Sequence, residues 1–300
     1  MRNITIWLKA FRLRTLPLAL SCVLMGTFLA AAEGSFQWRV FLLTLLTTLL
    51  LQILSNLAND FGDADNGADN EMRVGPTRVT HTGLISRKAM ISMIVLFSVA
   101  AILSGVLLIV VALRDAPAKF RWLFLLLGLL SVAAAWKYTM GKRPYGYRGL
   151  GDLFVFLFFG LLGVWGSYFM QRVAFHGTLL LPAAAIGFFS TGVLNLNNLR
   201  DEESDRRAGK NTLVTMKGAL FAKRYHTLLI LGGIVLAFLY NLLSFRGYLN
   251  FLWLLMTPLF LAGLLRVWRA QTASGLIAEL QRLAMATFLF SLTYGISLLL

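Results

Sequence analysis

The chain has 300 residues, 58% of them hydrophobic and only 14% charged, with a mean hydropathy of +0.73. A soluble domain carries about a quarter charged residues, so the composition excludes a soluble fold and indicates an all-α, polytopic membrane protein with one transmembrane domain over residues 1–300. A formal charge of +15 would suit a nucleic-acid partner, but the bases alternate between rich and poor loops as membrane topology requires, which argues against that class.

The N-terminal arm, "MRNITIWLKAFRLRTLP", precedes the first of nine apolar runs. It lacks a small-residue cleavage site and is expected to stay attached. The runs lie at about 16–32, 40–58, 90–112, 120–136, 152–171, 179–199, 226–243, 249–265 and 283–300, and each can cross about 30 Å of hydrocarbon as a helix. None alternates as a barrel strand would, so membrane-spanning helices are expected. Cys22, the single cysteine, falls in the first run and rules out an intrachain disulfide. Trp7, Trp38, Trp122, Trp136 and Trp253 fall near run ends and are expected at the membrane interface. The glycines and phenylalanines of "FFGLLGVWGSYF" in the fifth run are expected to pack helices together. His81, His176 and His226 are scattered; surface roles are expected, and they offer no histidine metal site.

The arm and every second loop after it hold 22 of the 28 Lys and Arg residues. The positive-inside rule then places the N-terminus and these loops in the cytoplasm, as for a multi-pass protein of the cell membrane. Two of the same loops are long, about 59–89 and 200–225, and both open on acids as a run ends. Together they carry nine of the thirteen acids. The first reads "NLANDFGDADNGAD" and the second "NLNNLRDEESDRRAGKNTL". Both begin Asn-Leu-x-Asn and follow the second and sixth runs. Runs 1–4 and 5–8 therefore read as an internal repeat with the ninth added.

Asn197, Asp201 and Asp205 recur every four residues, one stripe of a helix. Asn56 to Asp60 and Asn59 to Asp63 repeat that step, and Asp60 and Asp63 are neighbours at i, i+3. Carboxylates stacked at helix C-terminal ends repel one another and oppose the helix dipole. A Mg²⁺ ion would reconcile them, since it takes carboxylate and amide oxygens and keeps places for phosphate oxygens. On this reading neutralising Asp201 should spare the fold. Asp65 and Glu71 are expected in solvent. Asn66-Gly67 should end the helix, and the loop beyond can return Asp69 to the site. The bases Arg73, Arg78, Lys137, Lys142, Arg143, Arg200, Arg206 and Lys210 lie on the same side and could back a metal-bridged diphosphate. An apolar cavity would hold a hydrocarbon tail and keep water from a cationic intermediate.

The two acidic stretches resemble the motifs of the UbiA superfamily of intramembrane aromatic prenyltransferases, NDxxDxxxD and DxxxD. Asn59, Asp60 and Asp63 match the first motif, and Asp201 and Asp205 the second. The last acid of the first motif comes two residues late, at Asp69, which is similar to the NDxxDxxxGxD of the 1,4-dihydroxy-2-naphthoate polyprenyltransferase branch. "FRLRTLP" resembles that branch's RPKTLP, with Arg12 and Arg14 as its bases. "RVGPTRVTHTGLIS" is similar to its segment after the first motif. "YTMGKRPYGYRGLGD" resembles YTGGPxPYxYxGLGD, and "NNLRDEESDRRAGKNTL" resembles NNxRDxxxDxxxGKxTL. Lys142 departs from the block and recreates the superfamily's YxxxK pattern with Tyr138.

The resemblance implies nine helices around a cavity and Mg²⁺ held by Asn59, Asp60, Asp63, Asp69, Asn197, Asp201 and Asp205. It implies ionisation of a polyprenyl diphosphate against the bases, ring attack on the allylic cation and loss of carbon dioxide from 1,4-dihydroxy-2-naphthoate. It offers Tyr138 and Lys142 as acceptor contacts. Other acceptors, such as 4-hydroxybenzoate or homogentisate, keep the same chemistry. An ion-coupled transporter is the reading from another class, but transporter acids lie near the bilayer midplane, not at span ends. Prenyl length and oligomeric state leave no mark in the sequence.

Overall fold

The computed structural model describes residues 2–68, 74–75, 80, 83–245 and 247–300. Among these residues, nine helical segments are long and apolar enough to cross a membrane. They are Ile4–Ala32, Trp38–Asp65, Arg87–Ala112, Ala118–Lys137, Gly151–Arg172, Gly177–Arg200, Ala219–Leu243, Tyr248–Arg269 and Gly275–Leu299, numbered here as spans 1 to 9. The chain is a multi-pass membrane protein.

Span 1 is broken near its start. An amphipathic helix, Arg2–Phe11, stops at Arg12, whose backbone is left-handed (φ 51°, ψ 55°). A transmembrane helix then begins at Leu16, with Pro17 in its first turn where no amide hydrogen is needed. Asn56 of span 2 fixes this elbow. Its side-chain amide donates to the Phe11 carbonyl (2.8 Å) and to Thr15 Oγ1 (2.9 Å).

Span 2 pairs with span 3, and span 6 with span 7, as an internal repeat would have it. The fourth members differ: span 4 packs on spans 2 and 3, whereas span 8 packs on spans 7 and 9. Spans 1 and 5 join the two groups. Glycines permit the close approaches. A Cβ on Gly160 of span 5 would lie 2.7 Å from Gly187 Cα of span 6, and one on Gly26 of span 1 would lie 2.2 Å from the Val164 carbonyl of span 5. The Gly160 contact falls within the π-helical stretch Phe156–Trp165, in the segment expected to pack helices.

Two expectations fail on burial. Trp253 is in the core at 1% exposure, against Phe290 and Tyr294, because span 9 covers its face of span 8. His226 is also buried, since span 7 begins at Ala219 and places it two turns inside, against Gly192 of span 6. Trp38 and Trp122 are exposed as expected. Trp136 donates to Ser98 Oγ (2.9 Å), and Trp7 packs against Phe11. His81 lies outside the described residues.

Candidate functional site: two acidic helix ends and a cavity

Both acidic stretches are more helical than their composition suggests. Span 2 continues through Asp60 and Asp63 to Asp65, and Gly67 (φ 71°) follows in the left-handed conformation that glycine adopts without strain. Span 6 ends at Arg200. Asp201 interrupts it, and a short helix, Glu202–Arg207, follows. The amides of Asp201 and Asp205 still bond the carbonyls four residues back (3.1 and 2.8 Å), so the expected stripe survives the interruption.

Asp60, Asp63, Asp201 and Asp205 are all 5% exposed or less. They do not stand as bare repelling charges. Arg200 grips Asp201 with two hydrogen bonds (Nε–Oδ1 2.8 Å, Nη2–Oδ2 2.5 Å) and also donates to Asn197 Oδ1 (2.9 Å). Lys210 Nζ lies between the two stretches, 3.7 Å from Asp63 Oδ1 and 3.6 Å from Asp205 Oδ1. Arg12 comes within 3.9 Å of Asp60 from the elbow of span 1. The expectation that neutralising Asp201 spares the fold is therefore corrected: Asp201 balances a guanidinium that is itself 4% exposed.

Residues between spans 4 and 5 lock the first stretch. Thr139 Oγ1 donates to the Ala58 carbonyl (3.0 Å) and to Asn59 Oδ1 (3.3 Å), and Asn66 Nδ2 donates to the Thr139 carbonyl (2.8 Å). Gly62 allows this approach: a Cβ there would lie 2.6 Å from the Thr139 carbonyl. Tyr147 donates its hydroxyl to Asp63 Oδ1 (2.8 Å), and its ring lies under Lys210 Nζ. A bridge between Arg148 and Asn211 joins this connection to the second stretch. Sequence reading missed Tyr147 and Thr139; both lie in or beside the block from Tyr138 to Asp152, the only local signal for them.

The other bases lie farther out. Lys137, Lys142 and Arg143 are exposed, and Lys142 and Arg143 line a shallow rim pocket of about 380 Å³ with Asn66, Tyr147 and Arg148. Arg14 is exposed, and Arg206 pairs with Glu202 on the surface. Asp65 is half-exposed and pairs with Arg87, as its solvent reading requires. Asp69, Glu71, Arg73 and Arg78 lie outside the described residues.

A cavity of about 340 Å³ runs from this site into the bundle. Its mouth is polar, with Asn56, Asn59, Tyr138 and Tyr145; deeper walls include Phe124, Phe158 and Leu162. Along span 2 it reaches from Asn59 to Thr44, about 22 Å of helix. Tyr138 and Tyr145 meet edge to face. Burial pushes the Tyr138 hydroxyl well above the ordinary tyrosine range, and the charge of Asp63 pushes it further. Tyr138 thus stays neutral and can donate a hydrogen bond.

Buried carboxylate and amide oxygens are the donors a hard divalent cation takes, so the residues fit Mg²⁺ by chemistry. Among the described residues no three acid, His or Cys side chains already converge as a cage.

The family model described as the UbiA prenyltransferase family matches residues 19–294. A protein of Escherichia coli (strain K12) named 1,4-dihydroxy-2-naphthoate octaprenyltransferase is 44% identical over 294 residues, covering 98% of this chain and 95% of that one. One of the same name from Mycobacterium tuberculosis is 36% identical, covering 90% and 85%. The fold is similar to that of a UbiA homolog from Archaeoglobus fulgidus bound to DMAPP and Mg²⁺ (TM-score 0.64, 17% identity, 98% of each chain). It is also similar to a UbiA homolog from Aeropyrum pernix K1 (TM-score 0.70, 17% identity, 94% and 96%).

Proposed function

We propose a function from one established premise: this chain belongs to the UbiA prenyltransferase family. It transfers a polyprenyl group from polyprenyl diphosphate to 1,4-dihydroxy-2-naphthoate with loss of carbon dioxide, giving demethylmenaquinol or its quinone for menaquinone biosynthesis. The observation that carries the acceptor is the 44% identity, over nearly the whole chain, to a relative named for that substrate.

Asp60, Asp63, Asp201 and Asp205, with Asn59 and Asn197, would hold Mg²⁺. The ion, when bound, supplies positive charge to the departing diphosphate. Arg12, Arg200 and Lys210 already stand at these carboxylates and would share the diphosphate's charge. Asp69, Arg14, Arg73 and Arg78 are further candidates for this end of the site. The apolar cavity would take the proximal isoprene units and keep water from the allylic cation. Tyr138, neutral at the cavity mouth, would donate to an acceptor oxygen. Lys142, at the rim, would attract the acceptor carboxylate rather than touch the reacting carbon, and Lys137, exposed at the end of span 4, is a further candidate base for the diphosphate. The distribution of bases supports a cytoplasmic N-terminus and cytoplasmic acidic helix ends.

The test supplies purified protein with carboxyl-labelled 1,4-dihydroxy-2-naphthoate, a polyprenyl diphosphate and Mg²⁺. Labelled carbon dioxide should appear in one-to-one ratio with diphosphate, and EDTA should stop both. Prenylation of 4-hydroxybenzoate with the naphthoate untouched would reject the acceptor and keep the chemistry. No transfer to any aromatic ring would reopen the transporter reading.

A further inference from the structure

Span 2 brings more polar side chains to the cavity than a hydrocarbon tail can use. Thr44, Thr48, Gln52, Ser55 and Asn59 fall on one face of the helix, and all line the cavity. Thr44 satisfies its hydroxyl by donating to the Val40 carbonyl (2.8 Å). Among the described residues, the hydroxyls of Thr48 and Ser55 and Oε1 of Gln52 make no hydrogen bond, and none of the three is sealed within the protein. A polar oxygen left dry against an apolar chain is unfavourable, so a polar part of a ligand belongs at this level.

The surrounding network decides what Gln52 offers that ligand. The Phe11 carbonyl can only accept, so Asn56 turns its Nδ2 there (2.8 Å) and its Oδ1 the other way. Thr15 gives its proton to the Arg12 carbonyl (2.9 Å), so its Oγ1 accepts from others. Asn56 Oδ1 and Thr15 Oγ1 are therefore both acceptors, and Gln52 meets each with Nε2 at 3.3 Å. Oε1 is left over, and it can only accept. Gln52 lies seven residues from Asn59, about 10 Å of helix rise into the bundle from the diphosphate end of the site. The acceptor named above carries its carboxylate beside the 1-hydroxyl and a second hydroxyl across the ring, at position 4. With the carboxylate toward Lys142 at the rim and the 1-oxygen toward Tyr138 at the mouth, the 4-hydroxyl points into the bundle. It is a donor, and Gln52 Oε1 is an acceptor on that side of the cavity.

Building on the proposed function above, we propose that Gln52 reads the 4-hydroxyl of the aromatic acceptor, which donates a hydrogen bond to Gln52 Oε1. Ser55, one turn nearer the diphosphate, offers its hydroxyl to the same ring. Asn56 acts through Gln52, by holding its amide the right way round. The pair thus selects rings that carry a donor on the side away from the rim. Rings with an ether or a bare carbon there leave Oε1 dry and bind less well.

The experiment measures binding of two acceptors, 1,4-dihydroxy-2-naphthoate and 1-hydroxy-2-naphthoate, which lacks only the 4-hydroxyl. Both are titrated without oxygen into protein loaded with Mg²⁺ and an unreactive prenyl thiodiphosphate. Wild type should hold the dihydroxy ring about tenfold more tightly, the worth of one buried hydrogen bond. In Gln52→Leu the dihydroxy ring should weaken by about tenfold while the monohydroxy ring and the thiodiphosphate stay within about twofold of wild type. Equal weakening of both rings would mean that Gln52 only packs the cavity wall, and unchanged binding of the dihydroxy ring would mean that nothing reaches it; either overturns the assignment. Wild type alone decides the matter if the variant does not fold, since equal affinity for the two rings also overturns it. A wild type that neither binds nor turns over the dihydroxynaphthoate would instead remove the functional reading beneath the proposal.

Discussion

Span 2 runs straight through its acids, whereas span 6 breaks at its first one. On span 2 the charges of Asp60 and Asp63 are answered from a distance. Arg12 comes from the arm, Tyr147 from the connection before span 5, and Lys210 from beyond span 6. On span 6 the partner is the adjacent residue: Arg200 turns back on Asp201 and braces Asn197 one turn below. Among the described residues, then, the second stretch finds its charge partners within itself and in Lys210 just beyond, while those of the first come from distant parts of the chain. Lys210, 6% exposed, stands within ion-pair distance of an acid from each stretch.

The largest expected effects separate these two constructions. Asp63→Ala and Asp201→Ala should each lower turnover by about 10²–10³-fold, the usual result of removing one charge-stabilising group. Their stabilities should differ. Without Asp201 the Arg200 guanidinium is buried with only an amide oxygen for company, a loss of about 3–5 kcal/mol. Without Asp63, Lys210 still has Asp205, and the hydrogen bond lost among the described residues is that of Tyr147, about 1.5–3 kcal/mol. Thermal unfolding in detergent measures both, and equal losses would erase the distinction.

The same contrast explains what the sequence could reveal. Nine apolar runs were legible because hydropathy accumulates over about 20 residues. The end of span 2 was legible too, because Asn66-Gly67 marks a turn and the helix stops at Asp65. The starts of spans 7 and 9 were not: they begin at Ala219 and Gly275, ahead of the apolar runs read at 226 and 283, because polar residues lower hydropathy without breaking a helix. Trp253 misled for a related reason: a tryptophan near a span end faces lipid only if no other span covers it. Within the site, the i, i+4 acids were readable as a stripe. Their partners were not, since Tyr147 lies 84 residues from Asp63 and such a pairing leaves no periodic trace.

A middle-sized effect probes the lock on span 2, which has no counterpart on span 6. In Gly62→Ala the new methyl would meet the Thr139 carbonyl at 2.6 Å and its hydroxyl at 2.5 Å. Backbone atoms cannot rotate away, so the helix and the connection must separate. Overpacking of this kind costs about 1–3 kcal/mol. Asp63, one residue on, would shift with the helix and lose register with Tyr147 and Lys210. Turnover should fall by about 10-fold, a fraction of what a displacement of about 1 Å can cost. Gly209→Ala sits in the second stretch at a positive φ of 66° with open space around it. Its cost should be backbone strain alone, about 1 kcal/mol, with turnover reduced less than in Gly62→Ala. A reversed order in the kinetic assay would place the sensitive geometry on span 6 instead.

The smallest effect concerns two arginines that composition does not distinguish. Arg200 and Arg206 lie six residues apart on the same acidic stretch, and both were eligible to hold diphosphate. The fold separates them. Arg200 is buried between Asp201 and Asn197 at the inner end of span 6. Arg206 is 61% exposed and paired with Glu202 one turn back along the short helix. A surface pair at i, i+4 contributes about 0.3–0.5 kcal/mol. Its charge also lies on the solvent side of that helix, where salt screens its field within about 10 Å. Arg206→Ala should therefore shift unfolding barely at all and leave kcat and the KM for polyprenyl diphosphate within about twofold of wild type, a limit of about 0.4 kcal/mol. A rise in that KM well beyond twofold, reversed by Arg206→Lys, would mean that the diphosphate reaches past Asp205 to the outer face of the short helix, and the boundary of the site would have to be redrawn there.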